Sequence, residues 1–288
     1  MKTVILGCGD VGKRIARALI QTGVDSSDII AYVSSSTSEQ ACGALGLDAR
    51  FWNLDQLDVD LADCHGAHVY YTVAPQKEGE SDQRTANLMQ QWRAADIRPE
   101  KILLLSTTGV YGDQQGELVT EETPLNPSTP RAKRRFSAEQ QWRQYGNEKD
   151  VPVVVFRVPG IYARSRLPEK RVRSRQPVVK PEECGYTNRI HANDLARACV
   201  LALEKCGSSE TFNICDGNPD KVSNYLQAVT AFFELPPLPE ISLLEAQDVL
   251  SEGMLSYLSE SRKIDNSKIL NKLGFKLEFD DYRRGIAV

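Results

Sequence analysis

Histidine, methionine and paired cysteines are scarce in this 288-residue sequence. It contains 3 His, 3 Met and 3 Trp, and its 7 cysteines include no CxxC pair. An odd number of cysteines without paired spacing indicates neither a disulfide framework nor a structural zinc site. We therefore expect reduced thiols, as in a cytoplasmic protein, and no bound metal.

Long apolar runs and blocks of one charge are also missing. No apolar segment approaches the roughly 18 residues of a membrane helix. A glycine motif begins at residue 7, so we expect no signal peptide before it. The formal net charge is -4, without a basic or acidic tail at either end. These absences argue against a membrane protein and against a nucleic-acid-binding protein.

The small net charge hides one basic stretch. Residues 131–189 contain 15 Lys and Arg against 6 Asp and Glu, a local charge of +9, which leaves -13 on the rest of the chain. Such a stretch indicates a region that receives anions. A solvated basic surface is the alternative.

The first motif combines a strand, a glycine turn and a helix. The apolar run VIL is followed by GCGDVG and then by apolar residues at helical spacing. Gly7 permits the turn, Gly9 lets a pyrophosphate approach the backbone, and Gly12 lets the helix pack on the strand. The backbone amides of Asp10 and Val11 then face the phosphates at the positive end of the helix dipole. The pattern predicts dinucleotide binding, with a plain glycine turn as the alternative.

The end of the second predicted strand bears on the choice of cofactor. An enzyme that prefers NAD usually has an acidic residue there, which binds the ribose 2′-hydroxyl. This chain has Ser34, Ser35 and Ser36 instead. Serine hydroxyls can donate to a 2′-phosphate and do not repel it, which favours NADP over NAD. A serine-rich loop selected for flexibility is the alternative.

Strand-like and helix-like segments alternate through the first three quarters of the chain. This alternation predicts an α/β fold with a doubly wound parallel Rossmann sheet. After about residue 217 the pattern changes to helices with proline-rich connections. We therefore predict a Rossmann domain over residues 1–216 and a small C-terminal substrate lobe over 217–288, with a basic insertion at about 163–187 that joins the lobe.

Ligands of such sheets bind at the carboxyl ends of the strands. The predicted cleft therefore contains the residues that follow the apolar runs. Those assigned to the cofactor are Val73, Ala74, Pro159 and Ile161.

Six ordered blocks carry a resemblance to a known family. They are GCGDVG at 7, LLLSTTGVYG at 103, VFRVPGIYA at 155, NRIHANDLARACVLALE at 188, TFNICDGNP at 211 and SKILNKLGF at 267. Over residues 2 to about 286 the chain resembles the extended short-chain dehydrogenase/reductases, the NAD(P)-dependent epimerase/dehydratase group. The resemblance implies about seven sheet strands, with Asn53 and Leu54 against the adenine. Many relatives dimerise through the helix after the VYG block, so a homodimer is expected.

The catalytic positions implied by the resemblance are partly changed in this chain. Thr107 falls on the family's catalytic Ser or Thr, unless it only satisfies its own turn. Alignment on Glu139 places Arg131 at the family's tyrosine and Arg135 at its lysine. Arginine stays protonated and has no acceptor, so Arg131 cannot act as the base, whereas Arg135 can still bind the nicotinamide ribose.

Another group must then transfer the proton. Tyr111, Tyr162 and Tyr186 are candidates because they lie near the predicted cleft, although an aromatic residue after a strand is more often part of the core. Loss of a general acid or base costs about 10²- to 10⁴-fold in rate.

Basic residues follow the strand that ends near Val158. The segment ARSRLPEKRVRSR at 163–175 has six basic residues and one acidic residue. In sugar-nucleotide enzymes this region meets the diphosphate of the substrate, and the arginine fork suits such anions. We therefore expect Arg131, Arg164 and Arg189 to contact an anionic substrate, with a mobile solvated loop as the alternative. His191 is expected to be a packing residue.

Two functional hypotheses follow. The first is an NAD(P)-dependent oxidoreductase or epimerase with an atypical active site, acting on a small anionic or nucleotide-sugar-like substrate. The second is a catalytically silent NADP(H)-binding protein that senses redox state. The intact glycine turn and Thr107 favour the first hypothesis, and the two arginines favour the second. Neither hypothesis involves nucleic acid or a membrane.

Overall fold

The computed structural model describes residues 2–53, 55 and 61–288. The strands are β1 (Thr3–Leu6), β2 (Ile29–Val33), β3 (Asp48–Phe51), β4 (His68–Tyr71), β5 (Lys101–Thr107), β6 (Leu118–Val119), β7 (Val153–Val158), β8 (Gly160–Tyr162), β9 (Val178–Val179), β10 (Tyr186–Thr187), β11 (Arg189–His191), β12 (Glu210–Asn213), β13 (Asp220–Lys221), β14 (Glu240–Ile241) and β15 (Lys263–Ile264). The α-helices are α1 (Asp10–Gln21), α2 (Ser36–Gly43), α3 (Gln83–Ala94), α4 (Pro130–Lys149), α5 (Glu169–Arg173), α6 (Ala192–Lys205), α7 (Val222–Phe232), α8 (Leu243–Val249), α9 (Glu252–Leu258), α10 (Ser267–Leu273) and α11 (Tyr282–Gly285).

The central sheet is parallel and confirms the predicted fold class. Within the described residues it has seven strands in the order β12-β7-β5-β4-β1-β2-β3. Strands β1, β2 and β7 are buried along their whole length, as expected for a sheet covered on both faces. Strand β1 pairs in parallel with β2 on one side and with β4 on the other, and the strand order reverses between β1 and β4. Ligands of doubly wound sheets bind at this reversal.

By its internal contacts the chain divides into two compact units. The first consists of Met1–Thr107, Pro130–Arg157 and Leu195–Phe212. Its core includes an aromatic cluster on one side of the sheet, in which the ring of Trp142 lies 4.9 Å from that of Tyr71 and 5.4 Å from that of Trp92. Edge-to-face and tilted aromatic pairs of this kind add about 0.5–1.5 kcal/mol each beyond burial. The cluster anchors α3 and α4 beside the sheet.

The second unit consists of Thr108–Thr129, Val158–Asp194 and Asn213–Val288. It therefore contains residues 108–129, 158–194 and 213–216, which lie within the range 1–216 predicted for the Rossmann domain and its insertion. The reason lies in backbone pairing. The segments that follow β5 and β7 form short two-stranded pairs with later parts of the chain, such as β6 with β15 and β9 with β14. These pairs are long-range, so sequence order does not show them.

Two elements are not evident from the alternation of apolar strands and helices. Strand β3 is a four-residue strand, DARF, at the sheet edge, and none of its residues is buried. Helix α4 runs over twenty residues from Pro130 to Lys149, although its sequence is rich in polar residues. Among the described residues, no helix combines the length and apolar character needed to cross a bilayer.

Candidate functional site

A cavity of about 250 Å³ lies in the first unit at the carboxyl ends of β1, β2 and β4. This is the edge of the sheet where the strand order reverses. The lining residues come from the glycine turn, the end of β2, the segment after β4 and the start of α3. They are Gly7, Cys8, Gly9, Tyr32, Val33, Ser34, Ser38, Trp52, Thr72, Val73, Ala74 and Arg84.

The glycine turn is held rigidly by the two neighbouring strands. The backbone N–H groups of Gly7 and Cys8 both donate to the carbonyl oxygen of Tyr32, at 3.1 and 2.8 Å. The Thr72 hydroxyl donates to the carbonyl oxygen of Gly7 at 2.7 Å. Gly7 has φ of +85°, and a Cβ atom there would lie 2.9 Å from Cγ2 of Val73. Only glycine fits this position, for both conformational and steric reasons.

Gly9 leaves the amino end of α1 open. A Cβ atom on Gly9 would have no other heavy atom closer than 3.9 Å, in contrast to one on Gly7. Gly9 is also the N-cap of α1, and no side chain caps this helix. The first backbone N–H groups of a helix lie at the positive end of its dipole and favour anions, and those of Asp10 and Val11 lie in the first turn of α1. The turn therefore fits the pyrophosphate of a dinucleotide.

The serine segment after β2 divides between two positions. Ser34 and Ser38 line the cavity. Ser35 is the N-cap of α2, where its hydroxyl accepts from the backbone N–H of Ser38 at 3.2 Å. Among the described residues that line the cavity, none is acidic. A 2′-phosphate at this end of the cavity would therefore meet the hydroxyl groups of Ser34 and Ser38.

Two aromatic side chains of the cavity wall were not foreseen from the sequence. The rings of Tyr32 and Trp52 are 6.1 Å apart in edge-to-face geometry. Trp52 is 3% exposed, and within the described residues its indole Nε1 atom has no hydrogen-bond partner. The neighbouring Asn53 accepts from the backbone N–H of Asp55 through its side chain and is absent from the lining residues. Leu54, the other residue predicted at the adenine, lies outside the described residues.

Arg84 is a cation of this site that sequence reasoning missed. It lies in the first turn of α3 and donates to the carbonyl oxygen of Ala74 at 3.0 Å. It also pairs with Asp55 at 2.7 Å and thereby lowers the pKa of that carboxyl group. Nothing in the local pattern distinguishes this arginine from other helix-surface arginines. Val73 and Ala74, which were predicted, line the cavity beside it.

Helix α4 brings Arg135 to the edge of the cavity. Its Nη1 atom donates to the carbonyl oxygen of Val73 at 2.8 Å, and burial lowers the pKa of this guanidinium. Arg131, one turn earlier on the same face, is exposed. Arg131 and Arg135, which the resemblance aligns with the family's tyrosine and lysine, are thus both cationic. Of the two, Arg135 is hydrogen-bonded to Val73, a residue of the cavity wall.

A buried ion pair supports the same helix from behind. Glu139 is 1% exposed and accepts from Nη2 of Arg157 at 2.9 Å. The hydroxyl of Ser106 donates to the other carboxylate oxygen of Glu139 at 2.5 Å. Thr107, the next residue, is the last one of β5. The Glu139 carboxylate therefore links α4 to β5 through Ser106 and to β7 through Arg157, and Ser106 immediately precedes Thr107.

The remaining predicted residues belong to the second unit. The hydroxyl of Tyr111 is buried and donates to Oδ1 of Asn213 at 2.8 Å. Pro159 and Ile161 lie at the start of Val158–Asp194 in that unit. The guanidinium of Arg164 lies 4.5 Å from the ring centre of Phe232.

Arg189 occupies a different environment from the one predicted. It is 4% exposed, and its guanidinium lies 4.1 Å from the ring centre of Tyr225 and 5.2 Å from that of Tyr282. This arginine is part of the interior of the second unit and does not lie on a surface that a solvated substrate reaches. His191 is fully buried and its ring centre lies 3.9 Å from that of Phe279, as expected of a packing residue.

Comparison with known proteins gives consistent results. The sequence profile of the NAD dependent epimerase/dehydratase family matches residues 4–215. Protein YeeZ of Escherichia coli (strain K12) is 26% identical over 298 residues, which cover 97% of each chain. A functionally unknown conserved protein from Silicibacter pomeroyi DSS has a TM-score of 0.84 at 29% identity, covering 99% of this chain and 97% of that one. UDP-glucuronic acid 4-epimerase from Bacillus cereus, solved in complex with NAD, shares the fold with a TM-score of 0.77 at 18% identity, covering 99% and 96%.

Proposed function

Because the chain belongs to the NAD dependent epimerase/dehydratase family, we propose that it binds NADP or NAD at the glycine turn and acts as an oxidoreductase or epimerase on a small anionic substrate. One observation carries the proposal. The cavity at the strand reversal is bounded by a turn in which Gly7 has a positive φ and no room for a Cβ atom, whereas a Cβ atom on Gly9 would meet no neighbour among the described residues closer than 3.9 Å. This is the shape that a pyrophosphate requires.

The cavity wall supports NADP as the preferred cofactor. Ser34 and Ser38 offer hydroxyl groups, and no carboxylate among the described lining residues would repel a 2′-phosphate. Trp52 offers an indole N–H group that is buried without a partner in the described residues and an aromatic surface for an adenine. When bound, the nicotinamide supplies hydride transfer. Gly9, Val11 and Ser34 would hold the phosphate and ribose end of such a nucleotide, and Arg135 its nicotinamide ribose.

The proposed chemistry assigns separate tasks to the residues of the first unit. Thr107 would orient a substrate oxygen from the end of β5. Arg131, which is exposed, would bind an anionic group of the substrate but cannot exchange a proton at neutral pH. Nucleotide-sugar-like substrates match this anionic requirement.

A silent nucleotide-binding protein is the second candidate function. The observation that favours it is the pair of guanidinium groups on α4, of which Arg135 already donates to Val73. A site of this kind retains nucleotide binding but lacks a group that accepts the substrate proton. Such a protein would report the redox state of its nucleotide without turning over a substrate.

Nucleotide titration tests the proposed function. Isothermal titration calorimetry with NADP⁺ and with NAD⁺ should show binding of both, tighter for NADP⁺. Gly9→Asp should abolish both signals, because its carboxylate would stand where the phosphates bind. Undiminished binding by this variant would contradict the proposed site, and equal affinities would remove the argument from Ser34.

Turnover separates the two candidate functions. Mass spectrometry of small molecules released from the purified protein identifies a copurified nucleotide. The reduced and oxidised nucleotides are then followed at 340 nm with a panel of nucleotide sugars and carbonyl compounds, and the sugars themselves by NMR, because an epimerase leaves the redox state of its nucleotide unchanged. Turnover of any substrate supports the enzyme, whereas tight nucleotide binding without turnover supports the silent protein.

A further inference from the structure

Two thiols meet behind the glycine turn of the first unit. Cys8 is the second residue of the turn, and Cys42 lies near the end of α2. The Cys42 sulfur lies 3.8 Å from the carbonyl oxygen of Cys8, so the two residues are in direct contact. Both residues are buried. A disulfide requires the two sulfur atoms to approach to about 2.05 Å, which α2 and the turn can reach only by moving together.

The pair consists of one acidified thiol and one protonated thiol. The hydrogen bond from Cys8 lowers the pKa of Cys42 to about 7, against the effect of burial, and the positive charges of Lys13 and Arg17 act in the same direction. The same hydrogen bond and burial raise the pKa of Cys8. Near neutral pH, Cys42 is therefore partly a thiolate, which is the form that reacts with oxidants.

We propose that Cys8 and Cys42 form a reversible disulfide that closes the glycine turn to nucleotide. This inference rests on the proposed function in one respect, because it takes the turn to be where the nucleotide binds. Nucleotide binding would then weaken as the concentration of hydroperoxide rises.

The oxidation is balanced with a hydroperoxide as the oxidant. The Cys42 thiolate attacks one peroxide oxygen, the O–O bond breaks, and an alcohol or water leaves after protonation. The resulting sulfenic acid is attacked by the sulfur of Cys8. An S–S bond forms, the S–O bond of Cys42 breaks, and the departing hydroxide takes the Cys8 proton to become water. The two thiols lose two electrons and the peroxide gains them.

The surroundings of the two cysteines allow a hydroperoxide to reach them and couple disulfide formation to the position of the glycine turn. Cys8 lines the cavity, and α2 buries no residue other than Cys42, so this short helix opens at low cost. The Cys8 sulfur also lies within 3.2 Å of the point that a Cβ atom of Gly12 would occupy, which leaves it little room to move independently of the turn. Disulfide formation therefore draws Cys8, Gly7 and Gly9 towards α2 and displaces the amides that face the phosphates. A bound nucleotide covers Cys8 and should slow oxidation.

The test uses the full chain, hydrogen peroxide and NADP⁺. Trypsin places the two cysteines on separate peptides, residues 3–13 and 18–50, each with one cysteine. After peroxide treatment, non-reducing peptide mapping should show these two peptides linked, and NADP⁺ affinity should fall by at least about tenfold. Dithiothreitol should restore both. Pre-incubation with NADP⁺ should slow the linkage.

Three variants make the experiment decisive. Cys42→Ser and Cys42→Ala should bind NADP⁺ normally and lose the sensitivity to peroxide. Cys64→Ser, which replaces another fully buried cysteine of the first unit, should remain sensitive. Absence of the linked peptides, or linkage with unchanged NADP⁺ affinity, would overturn the inference. Failure of the reduced protein to bind NADP⁺ and NAD⁺ would instead count against the proposed function, and the peptide map keeps these two failures apart.

Discussion

A buried carboxyl group in the second unit predicts an unusual dependence of stability on pH. Asp216 is 3% exposed, one carboxylate oxygen accepts from the backbone N–H of Asn218 at 3.1 Å, and the other has no hydrogen-bond partner within the described residues. Burial raises the pKa of Asp216 from 3.8 to about 7, with the charge of Asp281 adding to the rise, while the Asn218 hydrogen bond and the Arg189 charge oppose it. The folded protein therefore favours the neutral acid.

The sign and size of the effect follow from proton linkage. Between pH 3.8 and about 7 the folded state holds a proton that the unfolded state has released, so the free energy of unfolding falls as the pH rises. At about 1.36 kcal/mol per pKa unit, the full cost is about 4 kcal/mol above pH 7. At pH 5.5 the cost is about 2 kcal/mol, because this pH lies between the unfolded-state pKa of 3.8 and the folded-state pKa of about 7. The contribution no longer changes above the folded-state pKa.

Asp216→Asn removes the ionisation and should therefore raise stability more at high pH. Relative to the unsubstituted protein, its free energy of unfolding should be about 2 kcal/mol more favourable at pH 8.5 than at pH 5.5. The new amide adds a donor whose cost does not depend on pH, so the difference between the two pH values is the quantity to compare. Urea unfolding followed by circular dichroism at both pH values measures it.

Asp220 provides a control of opposite sign in the same unit. Although burial opposes it, hydrogen bonds from Asn224 and Tyr282 hold the pKa of Asp220 below its usual range. Asp220→Asn should therefore destabilise the protein at neutral pH, and this loss should shrink as the pH falls through the folded-state pKa. If Asp216→Asn changed stability equally at pH 5.5 and 8.5, the reasoning about Asp216 would be refuted.

Three further predictions concern the first unit. Gly7→Ala should lower the free energy of unfolding by about 2–5 kcal/mol, because a positive φ and the 2.9 Å contact with Val73 both oppose a Cβ atom. Gly9→Ala should leave stability within about 0.5 kcal/mol and still weaken NADP⁺ binding, so equal effects of the two variants in thermal unfolding and calorimetry would contradict the turn geometry. Glu139→Gln should cost about 3–5 kcal/mol in urea unfolding because Arg157 loses its buried counter-charge, whereas Glu148→Gln in the exposed pair with Arg93 should cost less than about 1 kcal/mol. Arg131→Tyr combined with Arg135→Lys should create slow oxidation of NADPH with a carbonyl panel at 340 nm, and an inert double variant would favour the silent nucleotide-binding protein.

Much of the fold was predictable because its signals are local. The run VIL before GCGDVG, the regular alternation of apolar strands with amphipathic segments, and the six ordered blocks all depend on near neighbours in the chain. They predict the parallel sheet, and they place Gly7, Gly9, Val73 and Ala74 at its carboxyl edge. Strand β3 escaped prediction because it has only four residues, DARF, and none of them is buried.

The site required the tertiary structure wherever function depends on distant residues meeting. Arg84 comes to the cavity through α3, and Arg189 is buried against Tyr225 although its sequence suits a surface anion contact. Likewise, Cys8 and Cys42 belong to no recognisable spacing, yet the packing of α2 beside the turn brings the Cys42 sulfur to 3.8 Å from the Cys8 carbonyl oxygen.

The amino-acid sequence by itself determined the sheet, the glycine turn and the presence of Arg131 and Arg135 on α4, because each of these depends on a short segment with its own conformational preference. Tertiary packing alone decided which charges are buried, which thiols meet and which loops join the second unit. Burial and contact depend on residues that are far apart in the sequence. Such residues pack against one another only after the long chain segments between them have closed into loops.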